Sequence, residues 1–150
     1  MAEHSTEITT LNTLTATLID SVNGYRDAAG HADSGRFQEL FRKFADDRSK
    51  VAETLRARVT ALGGDAEDDG SFLGKTHQRF LDLKSAITGR DDQAIVNEVE
   101  RGEDYLKEKF EAALKDGELS PESRTAVETA YQSVREGHDQ MSALKHGLEA

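Results

Sequence analysis

A chain of 150 residues with a formal net charge of −10, no cysteine, no tryptophan and a single proline is long enough to bury a core without cross-links and has no thiolate chemistry. The negative charge repels phosphate backbones and anionic headgroups, which argues against nucleic-acid and membrane partners, and no apolar run approaches the ~20 residues that span a bilayer. The opening MAEHSTEITT has no basic and no apolar leader region, so a cytoplasmic protein is expected.

Abundant alanine, leucine, glutamate and lysine predict an all-α fold. The first helix is predicted over about 6–32. Ile8, Leu11, Leu14, Leu18, Val22, Tyr25, Ala29 and Ala32 recur every three or four residues and draw one apolar stripe. The second, about 36–62, carries Phe37, Leu40 or Phe41, Phe44, Arg48, Val51, Leu55, Val59 and Leu62, and Gly63-Gly64 ends it as a left-handed cap. A shorter helix is predicted over about 72–88 through Phe72, Thr76, Phe80, Leu83 and Ile87.

The third long helix, about 91–115, has the stripe Ile95, Val99, Glu103, Leu106, Phe110 and Ala113. Ser120-Pro121-Glu122 marks the next start, with a capping side chain, a proline in the first turn and an acid at the positive end of the dipole. The last helix, about 121–148, shows Val127, Tyr131, Val134, His138, Met141, Lys145 and Leu148. Short connections make the first and last pairs antiparallel hairpins. The middle connection holds about 28 residues, enough to travel back along helices that are ~37 Å long. The expected architecture is a single-domain antiparallel four-helix bundle with an extra short helix in its crossover, the second and third long helices running parallel.

Arg48, Glu103 and His138 stand where the stripes call for apolar side chains, and Glu100 borders the same face one turn before Glu103. A buried unpaired charge costs several kcal/mol, so such residues are normally paired. Counting levels along the hairpins places Asp20 and Ser21 beside Arg48, with Tyr25 and Asp47 adjacent. Two readings follow. One is a buried polar network of Arg48, Glu100, Glu103, His138 and Tyr25 that fixes helix register. The other is a metal site for iron or manganese built from Glu100, Glu103, His138 and Asp20. Gly24, Gly102 and Gly137 flank the layer and suggest close helix approach or room for a ligand.

The runs Leu11-Asn12-Thr13-Leu14, Asp20 to Ala29, Leu62-Gly63-Gly64-Asp65, Gly70-Ser71, Gly74-Lys75-Thr76-His77, Glu100-Arg101-Gly102-Glu103-Asp104 and His138-Asp139 resemble the DUF2383 family of small bacterial proteins over nearly the whole chain. The resemblance implies a ferritin-like four-helix bundle and a link to stress, and it implies little about activity. Diiron bundles take Glu from two helices and Glu-x-x-His from two others. Here the second helix has no histidine, and Arg135 stands three residues before His138. The full dinuclear set is absent, which leaves a reduced, mononuclear site as the metal reading.

Asp65-Ala-Glu67-Asp-Asp69-Gly70 begins like a calcium loop, but position 12 is Thr76 rather than the bidentate Glu, so a solvated acidic loop is expected. His4, His31, His77 and His146 are expected on helix ends or exposed faces. No phosphate loop, dinucleotide fingerprint or serine nucleophile motif occurs. The expected function is a stress-associated structural or interaction protein rather than an enzyme, forming a homodimer through apolar residues such as Phe72 and Phe80. The alternative is a metal-binding redox or iron-handling protein.

Overall fold

The computed structural model describes residues 2–32, 34–66, 92–116 and 119–149. Among them are four long helices and no strand: α1 (Ala2–His31), α2 (Gly35–Ala61), α3 (Asp92–Asp116) and α4 (Pro121–Glu149). The short helix expected at 72–88, with Phe72, Phe80 and His77, lies outside the described residues, as does most of the acidic loop after Asp65.

The turns show why the helices end where they do. After α2, Gly63 adopts φ +85°, a conformation that a Cβ disfavours. Gly63 N donates to Thr60 O and Gly64 N to Val59 O, both at 3.0 Å; this is the Schellman arrangement that satisfies the last carbonyls. A Cβ at Gly64 would meet the Ile8 side chain at 2.8 Å, so the second glycine lets this turn close onto α1. Asn12 Nδ2 then holds the chain there by donating to Asp65 O at 2.9 Å.

Helix α4 begins at the proline, with Ser120 before it. Ser120 O accepts from Arg124 N at 2.8 Å, and Ser120 Oγ donates to Glu7 of α1 at 2.6 Å. From α2, Arg58 donates to Ser123 Oγ at 2.8 Å and reaches Glu122 at 3.2 Å. The start of α1, the end of α2 and the start of α4 therefore share one end of the bundle, where α3 also ends. Helices α1 and α4 run one way, and α2 and α3 the other.

Each hairpin packs most closely within itself. In addition, α1 lies beside α3 and α2 beside α4, which leaves α2 facing α3 across the central diagonal. Leu11, Leu14, Leu18, Phe41, Leu55, Ile95, Val99, Leu106, Phe110, Val127, Val134 and Met141 are almost wholly removed from water. Tyr25 packs against Phe44 and Phe41 with ring centroids 5.2 and 6.0 Å apart.

One stripe differs from expectation. On α4 the side turned to the core carries Ser123, Val127, Ala130, Val134, Gly137 and Met141, whereas Tyr131, His138 and Lys145 are half-buried at its border. The helix is turned slightly from the predicted seam: Val127, Val134 and Met141 stay inside, and Gly137 takes the place of His138. The reason lies opposite Gly137: a Cβ there would stand 2.3 Å from Arg48 Nη2. The arginine needs a position without a side chain, and His138 turns away with the rotation.

Candidate functional site

The polar residues on the seams form two groups rather than one. The first fills the centre of the bundle. Arg48 of α2 and Glu103 of α3 face each other across the diagonal, with Nη2 to Oε2 at 2.5 Å and side chains 1% and 0% exposed. Arg48 Nη1 also donates to Ser21 Oγ of α1 at 3.0 Å, and its guanidinium lies 5.8 Å from the Tyr25 ring centroid. With Gly137 of α4 leaving space, all four helices contribute to one layer.

The electrostatics of this layer are matched. Burial, the largest single influence, would pull the Arg48 pKa down, but the groups around it, the Glu103 carboxylate foremost, together outweigh it, and the guanidinium stays charged. Burial, reinforced by the Glu103 charge, pushes the Tyr25 pKa well above its ordinary value, so its hydroxyl stays protonated beside the Glu103 carboxylate. Two opposite charges in a dry interior are tolerable on these terms, because each is paired and hydrogen-bonded.

The second group lies on the seam between α3 and α4. Ligand-capable atoms of Glu100, Asp104 and His138 all fall within 4.8 Å of one another. His138 Nε2 is 2.6 Å from Asp104 Oδ1, and Nδ1 is 3.3 Å from Asp139 Oδ1. Lys145 Nζ donates to Glu100 Oε1 at 3.4 Å. Burial works against the charged imidazole, yet the hydrogen bonds to Asp104 and Asp139 outweigh it and raise the His138 pKa.

The residues singled out in the sequence therefore separate. Arg48, Glu103 and Tyr25 meet in the centre, joined by Ser21. Glu100 and His138 meet on the seam, joined by Asp104 in place of Glu103. Asp20 is half-buried on α1, where its charge helps raise the Tyr105 pKa after burial; it is not part of the seam group. Asp104 carries a signal that stripe-counting passes over: it stands four residues after Glu100, on the same helical face. Gly137 was visible as a glycine beside His138, but its role in making room for Arg48 needed the rotation of α4. His31 and His146 are exposed, and His31 Nδ1 lies 2.8 Å from Asp27 O in its own helix.

The profile of a family described as "Domain of unknown function (DUF2383)" matches residues 6–116. The chain belongs to the DUF2383 family. The match spans α1, α2 and α3, and so includes Ser21, Arg48, Glu100, Glu103 and Asp104. It ends at the close of α3, so Gly137 and His138 stand beyond the matched segment of this DUF2383 protein. No curated protein matches the chain. Among the described residues, no helix is long and apolar enough to cross a membrane.

Proposed function

We propose that this DUF2383 protein is a bacterial, cytoplasmic, ferritin-like bundle that works as a stress-associated structural or interaction protein rather than as an oxidase. The observation that carries this reading is the Arg48–Glu103 pair. Two antiparallel hairpins joined across the length of the bundle are the ferritin-like arrangement, and such bundles hold a dinuclear metal centre between facing helices. Here the same interior contains a guanidinium bonded to the carboxylate that would be a ligand. A cation fixed in the first coordination sphere opposes a second cation. With no histidine on α2 and with Arg135 in place of the needed Glu, the donor set does not fit a dinuclear centre.

The stress role rests on the family resemblance, and a homodimer rests on the apolar residues of the segment outside the described helices. A metal-binding (iron or manganese) redox or iron-handling protein using Glu100, Glu103, His138 and Asp20 together is the weaker alternative, since Arg48 already engages Glu103 and Asp20 is not in the seam group of Glu100 and His138. Aerobic addition of Fe2+ to the chelator-stripped, tag-free chain tests the reading. Oxidation no faster than in buffer is expected. Two irons per chain, lost in Glu103→Gln, would contradict it.

A further inference from the structure

We infer that Glu100, Asp104 and His138 form a mononuclear site for a first-row divalent transition ion on the α3–α4 seam, with Lys145 as its built-in competitor. This goes beyond the structural reading, since the site is separate from the central ion pair and involves neither Arg48 nor Glu103.

The donor set is two carboxylates and one imidazole. Carboxylates suit Mn2+, and imidazole suits Fe2+ and Zn2+. The donors come from a two-residue row on one helix face and from the facing helix, so the ion would bridge α3 and α4. Metal bonds of about 2.0–2.2 Å set neighbouring ligand atoms about 3 Å apart. The three donors already lie within 4.8 Å of one another, so side-chain rotations suffice to close the site.

Two observations outside the triad point to a cation. First, Asp139 engages the other ring nitrogen of His138, the outer-shell carboxylate that commonly orients a metal-ligating imidazole. Second, the seam already attracts a positive group, because Lys145 from α4 reaches the Glu100 oxygen. The Glu100 and His138 side chains are only 14% and 15% exposed, while Asp104 is 50% exposed. The inner two donors are sheltered from water, and the third leaves an entry path. Three protein ligands leave open positions for water or a small ligand.

The test is titration of the chelator-stripped, tag-free chain with Co2+, read by visible absorption, and with Zn2+, read by calorimetry and by the His138 imidazole resonances. One ion per chain is expected. Asp104→Asn and His138→Ala should each weaken binding about tenfold or more. Lys145→Met should tighten it, and Asp46→Asn, an exposed acid on α2, should leave it unchanged. All of these positions are exposed or at the border of the core, so the variants should fold, as far-ultraviolet dichroism will show. Absence of saturable binding, or binding that survives both His138→Ala and Asp104→Asn, overturns the site. Weaker binding in Lys145→Met overturns the competition.

Discussion

At the scale of the residue, the fold turns on a few positions where chemistry and space must agree. Gly137 is the sharpest case. Its missing Cβ is the space that Arg48 Nη2 occupies, so Gly137→Ala should overpack the centre and cost about 1–3 kcal/mol, measured by urea unfolding. Gly30, whose Cβ would meet nothing within 4 Å, is the control: Gly30→Ala should be neutral or stabilising. Equal losses at both sites would contradict the packing account. The sequence contains three tyrosines, and each is held above its ordinary pKa by a different environment. Burial dominates at Tyr25, burial with Asp20 at Tyr105, and the hydrogen bond to Glu111 at Tyr131. The unfolded chain releases these protons near pH 10 while the native chain retains them, so stability should fall as pH rises above that value. Ultraviolet titration should show each tyrosine less than half ionised in the native chain at pH 10. A tyrosine that titrates at or below 10 in the folded protein would contradict these environments.

At the scale of the element, periodicity made the long helices legible, and turn chemistry made their ends legible. Gly63-Gly64 and Ser120-Pro121 act as the sequence suggests because a left-handed cap and a first-turn proline depend on local backbone alone. The rotation of α4 was not legible, because it depends on what stands opposite. Val127, Val134 and Met141 fit both the predicted and the observed seam, and only the bulk of Arg48 chooses between Gly137 and His138. The rotation also sets a pH response on the α3–α4 seam. His138 faces Glu100, Asp104 and Lys107 of α3 and Asp139 of its own helix. Its folded pKa is raised, so its stabilising contribution should be complete below the unfolded value of about 6.5 and should fade as pH rises through the folded value. In chelator, the stability gap between wild type and His138→Gln should shrink from pH 5.5 to 8.5. A gap that widens over that interval would contradict the assigned partners.

At the scale of the whole molecule, the relative directions of α1, α2 and α4 follow from contacts at one end, where Glu7 meets Ser120 and Arg58 meets Ser123. That end and the central pair tie the two hairpins together. Association is a separate matter: sedimentation at moderate salt should show a homodimer, and a monomer at all concentrations would remove it. The division of the polar residues into a central lock and a seam group could not be read from the sequence, because Glu100, Glu103 and Asp104 share one short run and only the packing of α3 decides which points where. The central pair, rather than a metal, is expected to hold the middle of the bundle. A double-mutant cycle in chelator, read by urea unfolding, tests it most directly. Arg48→Met alone should cost ~3–5 kcal/mol by stranding the Glu103 carboxylate, and adding Glu103→Leu should recover much of that loss, since an apolar pair can replace a buried ion pair at little cost. Additive losses, or a wild type that already unfolds when chelator is added, would contradict it.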